Sequence, residues 1–191
     1  MIKKLELTRS LVVKSVFSIF DERTTFFTST GYISREAIKY ASAGTRVFPC
    51  VGGMGYVGTI AHEYSVQSKK QTVCLDGDGS LLMHMGSMPS ISRESGTSFI
   101  HLVLNNSTHE SVGESPTCAT HVNISELARI IGYDAVYHVE NVLELEASLS
   151  NVKELGFGNS FVHVVTKLES PRDLPRPKEL RDFVEEFLID L

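Results

Sequence analysis

Asp78 and Asn106 are the side chains around which a reaction site can be built in this sequence. Asp78 lies in Asp76-Gly77-Asp78-Gly79-Ser80, directly after the apolar run Thr72 to Leu75, which reads as a buried strand. Two glycines around an aspartate let a backbone turn tightly and come close to a ligand. A helical pattern follows, roughly Leu81 to Glu94, and the run from Phe99 to Leu104 reads as a second strand ending in Asn105-Asn106. About fourteen helical residues advance ~21 Å at ~1.5 Å each. Roughly seven strand residues return ~23 Å at ~3.3 Å each. A βαβ unit of those lengths brings both turns to one edge of a parallel sheet, where ligands bind in open α/β folds. A carboxylate and a carboxamide are hard oxygen donors and suit Mg2+. The free N–H groups of Gly79, Ser80 and Leu81, at the helix start, suit a phosphate.

With these residues in view, GDGS…NN resembles the thiamine diphosphate and magnesium motif of thiamine-dependent enzymes. The words CLDGDGSLLMHMGSM and LNNSTHESVGESPT are similar to the C-terminal half of phosphonopyruvate decarboxylase and its relative sulfopyruvate decarboxylase. The resemblance spans nearly the whole chain. It implies an α/β three-layer sandwich with a mainly parallel central sheet that binds thiamine diphosphate through Mg2+. The metal ligands it implies are Asp78, Asn106 and, two residues on, the main-chain carbonyl of Thr108. It further implies cofactor contacts from Gly77, Gly79 and Ser80 and from Gly52, Gly53 and Met54. Met54 sits where an apolar wedge holds the two cofactor rings in a folded V, with the Gly52 carbonyl two residues before it. From residue type alone, a methionine in a core is usually a gap-filler.

The loop after Asn106 departs from the usual family word, which is closer to NNGAHDSVGGQPT. Ser107, Thr108, Glu110, Glu114 and Ser115 are the departures. Ser107 stands where that word has glycine, which matters if φ is positive there. Glu114 and Ser115 replace a small neutral pair in a loop near the substrate, and an added negative charge opposes an anionic phosphonate or sulfonate. His109 is the one catalytic candidate, since a histidine titrating near neutrality can donate to a substrate anion. An incidental loop histidine is the other reading. Ser34-Arg35-Glu36 reads as an N-cap serine with an early glutamate; its likeness to the family's SRE word adds an active-site role for Arg35.

A second glycine-rich stretch competes for attention. Gly53-x-Gly55-x-x-Gly58 matches the dinucleotide fingerprint, follows the apolar run Arg46 to Val51, precedes a helix over Thr59–Gln67, and has Asp76 downstream. An NAD-binding Rossmann domain is therefore the alternative fold. Asp76 leading straight into GDGS counts against it, as does Pro49, which spoils the preceding strand as a central one.

Composition excludes several classes. A chain of 191 residues is large enough for one full core, and residues 1–191 read as one diphosphate-binding domain. A net charge of −5 and the lack of a basic cluster argue against nucleic acid. Cys50, Cys74 and Cys118 form no CxxC, which suggests neither disulfides nor zinc and fits a reducing, cytoplasmic setting. His62-Glu63 begins like HExxH, but Val66 occupies the second histidine's place. Glu6, Arg9 and Lys14 interrupt any signal-peptide core, and no apolar run approaches the ~20 residues of a membrane span.

Around these motifs the rhythm is α/β. A helix is expected over Thr8 to Phe20 and a strand over Thr25–Thr28. Downstream come a helix over Ser125–Ile131 stopped by Gly132 and a strand over Ala135–Val139. An Asn141/Glu144 capping box opens a helix to about Leu155, and Phe161 to Thr166 is the last strand. From about 172, two prolines enforce an extended stretch, and a terminal helix spans Lys178 to Ile189.

One part required by the resemblance is missing. In that family a glutamate on a separate pyrimidine-binding domain hydrogen-bonds the aminopyrimidine and activates it. Nothing in this sequence matches that domain. The resemblance thus implies a partner domain or subunit, a homo- or hetero-oligomer, and a small anionic 2-oxoacid substrate. The initiating Met and the terminal helix suggest a separate subunit, as in the beta subunit of a two-subunit sulfopyruvate decarboxylase. A cofactor-binding domain without catalysis is the reading of another class.

Overall fold

The computed structural model describes residues 7–93, 96–169, 173–177 and 180–188. Its elements in chain order are α1 (Arg9–Ile19), β1 (Thr25–Ser29), α2 (Tyr32–Tyr40), β2 (Arg46–Cys50), α3 (Val57–Ser68) and β3 (Thr72–Gly77). Then follow α4 (Asp78–Met83), α5 (Met88–Arg93), β4 (Ser98–Asn105), β5 (Thr108–His109) and β6 (Ser115–Pro116). The chain continues with α6 (Ile124–Ile131), β7 (Ala135–Val139), α7 (Val142–Leu155), β8 (Gly158–Val165) and α8 (Leu180–Leu188).

Six strands form one sheet in the order β2-β1-β3-β4-β8-β7, and every neighbouring pair is parallel. Parallel strands are covered on both faces, so they read as continuous apolar runs. One face carries Phe26, Val73, Leu75, Leu102 and Val162 against α1, α2 and α7. The other carries Phe27, Cys74, Phe99, Val103 and Phe161 against α3, α5, α6 and α8. These are the three expected layers. Among the described residues, no helix is long and apolar enough to cross a membrane.

Local chemistry explains most boundaries. Thr8 caps α1 by accepting from the Leu11 N–H at 3.2 Å. Asn141 caps α7 through the Glu144 N–H at 3.0 Å, while the Glu144 carboxylate returns to the Glu140 N–H at 2.7 Å. Gly132, at φ +102°, ends α6 as a left-handed C-terminal glycine.

Two expectations are corrected. The helix expected over 81–94 starts at Asp78 and breaks into α4, a short 3-10 turn at Met85–Ser87, and α5. Pro89, lacking an N–H, starts a new helix more readily than it continues an old one, and residue 94 lies outside the described residues. Ser34 is not an N-cap: α2 begins at Tyr32 after Gly31, whose φ is +91°, and the Ser34 hydroxyl donates to the Gly31 carbonyl at 3.0 Å. Of the expected terminal helix Lys178 to Ile189, both end residues lie outside the described residues, as does Arg172.

Candidate active site

The register of the two central strands sets the geometry. Gly77 of β3 is level with Leu104 of β4, so Asp78 and Asn106 leave the sheet at the same edge. Neither glycine of the turn uses glycine's special backbone. Gly77 is extended, with φ −108° and ψ 153°, and Gly79 is helical, so the tight-turn expectation gives way to one of space. A Cβ on Gly79 would collide with the His109 ring, so the histidine packs directly on that turn.

Asp78 is almost fully buried, and burial pushes its carboxyl above the usual range; hydrogen bonds from Thr117 and the Gly79 N–H, and the charge of His109, pull the other way. A buried carboxylate of that kind gains most from a cation, whose charge reverses the effect of burial.

The loop from Asn105 to Thr117 is a small hairpin, with Thr108 opposite Pro116 and His109 opposite Ser115. It returns the Thr117 hydroxyl to Asp78 Oδ2. Pro116 has no N–H, so the Thr108 carbonyl receives no hydrogen bond from the residue opposite it. Asn106 Oδ1 accepts the Thr108 N–H at 3.0 Å and its Nδ2 donates to Glu110 Oε2 at 3.0 Å. Ser107 has φ +56° and Glu114 φ +58°, so two non-glycine residues take the left-handed conformation in this loop. The condition set by the Ser107 departure is met. Ser107 is held by two hydrogen bonds to Asn105 Oδ1, from its N–H at 3.0 Å and its hydroxyl at 3.2 Å. Asn105 Nδ2 in turn meets His163 Nε2 at 3.0 Å. His163 is held neutral, its pKa lowered to about 4 by burial and by His138.

These turns border one cleft of about 350 Å³. Gly77, Asp78, Gly79 and Ser80 line it from one side, and Asn106, Thr108 and His109 from the other. Met54 lines it as well, whereas Gly52 and Gly53 lie on the turn leading to Met54 and are not among the lining residues. Ser80 ties that turn in place by accepting the Gly55 N–H at 3.0 Å. Glu114 and Ser115 are exposed and outside the lining, so the Glu114 charge does not enter the cleft directly.

The glycine-rich decoy has a structural explanation. Its strand, β2, is an edge strand, where Pro49 is tolerated. A Cβ on Gly53, Gly55 or Gly58 would meet Cys50 Sγ at 2.7 Å, His84 at 2.6 Å or His101 at 2.9 Å. Those glycines let side chains pack closely.

Several lining residues carry no motif: Ser29 at the end of β1 and Thr30 just after it, Thr166 after β8, Arg176 on the C-terminal stretch, and Arg9. Arg35 also lines the cleft, its guanidinium 5.4 Å from the Tyr32 ring centre. Arg9 is buried between two acids. Its Nε and Nη2 donate to Glu36 at 3.0 and 3.3 Å, and its Nη1 donates to Glu110. Burial raises the pKa of both glutamates, against the pull of Arg9.

No three His, Cys, Asp or Glu side chains cluster as a metal site among the described residues. Asp78, Asn106 and Thr108 at the cleft carry a carboxylate, a carboxamide oxygen and a main-chain carbonyl, hard oxygens of the kind that suit Mg2+.

A parallel α/β sheet with these two turns at its ligand-binding edge defines a cofactor-binding domain. Residues 29–164 match the family described as thiamine pyrophosphate enzyme, C-terminal TPP binding domain, and the chain belongs to that family. It is 28% identical over 171 residues to phosphonopyruvate decarboxylase of Streptomyces viridochromogenes, covering 90% of this chain and 43% of that protein. It is 26% identical over 132 residues to sulfopyruvate decarboxylase subunit beta of Methanococcus maripaludis, covering 69% of this chain and 70% of that subunit. The fold is shared with benzoylformate decarboxylase from Polynucleobacter necessarius, at TM-score 0.74 and 15% identity, over 91% of this chain and 35% of that one. The chain therefore spans less than half the length of the phosphonopyruvate decarboxylase it matches.

Proposed function

We propose that this chain is the diphosphate- and magnesium-binding half of a thiamine diphosphate-dependent decarboxylase acting on a small anionic 2-oxoacid. The observation that carries the reading is that Asp78, Asn106 and Thr108 line one cleft in a chain of the thiamine pyrophosphate-binding family. Asp78 supplies the carboxylate, Asn106 its Oδ1 and Thr108 its main-chain oxygen to Mg2+. The Ser80 N–H faces the diphosphate, beside Gly77 and Gly79, the Gly79 N–H being taken by the Asp78 carboxylate. Met54 supports the rings, and Gly52 and Gly53 offer backbone groups to the aminopyrimidine. When bound, the cofactor supplies the nucleophile and the electron sink for decarboxylation. Arg35 attracts the anionic substrate, and His109, packed on Gly79, is placed to donate a proton.

The activating glutamate comes from a pyrimidine-binding domain or subunit. In this chain, Glu36 and Glu110 are engaged by Arg9. Apolar side chains at the cleft also support a covering partner: Val51 is 42% exposed and Val112 72%. An assembly with at least two of each half follows from clefts formed between paired domains. A beta subunit of a two-subunit sulfopyruvate decarboxylase is the second reading, favoured by the near-equal coverage of the two chains, 69% and 70%. Cys50 and Cys74, both buried free thiols, suit a cytoplasmic setting.

The test is reconstitution. The purified chain with cofactor and Mg2+ should not decarboxylate phosphonopyruvate, sulfopyruvate or pyruvate. Adding a cognate pyrimidine-binding subunit should give turnover of ~1 s⁻¹ or more. Such turnover by this chain alone would show that the activating base lies within it. No turnover with any cognate partner would favour a cofactor-binding domain without catalysis.

A further inference from the structure

We infer that Glu110 is a positioning residue, held by Arg9 and the Glu169 N–H, that sets the direction of the Asn106 carboxamide oxygen. The inference rests on reading Asn106 as a ligand of the cofactor's metal. The Asn106 amide has two different partners on its two sides. Its Nδ2 donates to Glu110 Oε2 at 3.0 Å, and its Oδ1 accepts the Thr108 N–H at 3.0 Å. Turning the amide over would set its oxygen against a carboxylate and its NH2 against an N–H. One orientation survives, with Oδ1 on the Thr108 side. A charged acceptor on Nδ2 strengthens that bond and polarises the amide toward its oxygen. Both effects favour Oδ1 as a donor to a cation.

Glu110 can do this only if it is itself held. Its Oε2 also takes the Arg9 Nη1 donor, and its Oε1 accepts the Glu169 N–H at 3.0 Å. Arg9 is then fixed from behind by both oxygens of Glu36. Arg9, Glu36 and Glu110 are exposed by only 4%, 1% and 8%. Three buried charges are a poor route to stability, because desolvation offsets their attraction. Fixing a geometry accounts for them better. Two of the holding residues, Arg9 and Glu169, also lie outside the family match at 29–164, so flanking segments reach in to set a residue inside it.

The test uses the whole chain and two readouts. Without metal, nitrogen-15 NMR should find the Asn106 side-chain NH2 slow to exchange in the parent and in Glu110→Asp, which keeps the charge. In Glu110→Ala the exchange should be fast. With saturating thiamine diphosphate, Glu110→Ala should raise the Mg2+ Kd about ten- to hundredfold, as loss of a partner behind a metal ligand does. Glu110→Asp should keep most of the affinity. In an Asn106→Ala background, Glu110→Ala should add almost nothing, because its effect passes through Asn106. Equal losses in both backgrounds, or unchanged Mg2+ affinity in a folded Glu110→Ala, would overturn the inference. A protected amide in a parent that binds no Mg2+ would instead sink the functional reading and leave the positioning geometry supported.

Discussion

The two walls of the cleft solve the same problem with opposite materials. On the Asp78 wall, Gly77 and Gly79 are glycines at ordinary negative φ, and the turn is made of regular elements, β3 running directly into α4. On the Asn106 wall, Ser107 and Glu114 are not glycines, yet both have positive φ, and the loop is held by side chains. Glycine on the first wall marks missing volume: the His109 ring occupies the place of a Gly79 Cβ. On the second wall, the loop is held by hydrogen bonds that Asn105 Oδ1 accepts from the Ser107 N–H, Asn106 Oδ1 from the Thr108 N–H and Glu110 Oε2 from Asn106 Nδ2. A glycine in a sequence therefore reports space as readily as conformation, and a strained φ can stand without one.

The walls should differ most sharply in what they give the metal. Asp78 is the one proposed carboxylate ligand, so Asp78→Asn should abolish Mg2+-dependent binding of thiamine diphosphate. Asn106→Ala removes a neutral ligand and should weaken binding less. Calorimetric titration of both variants checks the order. Parent-like binding by both would make the two turns ordinary loops.

The Asn106 wall should also be the more sensitive to acid. His163 supports Asn105 as a neutral ring, with its pKa lowered from 6.5 to about 4 in the folded protein. The unfolded chain therefore binds this proton first. Stability from this group is complete above pH 6.5 and falls as the pH drops toward 4, by on the order of 3 kcal/mol in all. Urea unfolding of the parent and His163→Gln at pH 7 and pH 4.5 isolates it. The parent should lose more on acidification, and equal losses would remove His163 from the account.

The smallest effect concerns strain. Ser107→Gly should relieve the left-handed penalty, partly offset by backbone entropy and the lost hydroxyl bond to Asn105, for a gain of about 0.5 kcal/mol. Thermal unfolding would read this as a rise of roughly 1–2 °C. A fall would mean that the hydroxyl bond outweighs the strain.

Legibility divides along the same line. The Asp78 wall was readable because buried parallel strands are continuous apolar runs and the turn between them is short. Ala135–Val139 and the Asn141 cap were readable from local periodicity and capping chemistry. Arg9 was not. It read only as a charge interrupting an apolar segment, and its partners Glu36 and Glu110 are 27 and 101 residues away. A contact between distant charges leaves no period in a sequence. Glu36 likewise read as part of a helix start, when its carboxylate is buried on Arg9. The break between α4 and α5 was foreshadowed by Pro89, but helical spacing on either side of it concealed the interruption.

The most direct measurement is the thermal unfolding of the parent chain with thiamine diphosphate, with and without Mg2+, beside NADH. A ligand that binds only the folded state adds ~2.7 kcal/mol at a hundredfold excess over its Kd. Half a site binds weakly, so millimolar cofactor is the appropriate concentration. The account predicts a rise in Tm with thiamine diphosphate that requires Mg2+, and none with NADH. A rise with NADH, or one with thiamine diphosphate that ignores Mg2+, would contradict the assignment of Asp78 and Asn106 as the metal-bearing walls of a thiamine diphosphate site.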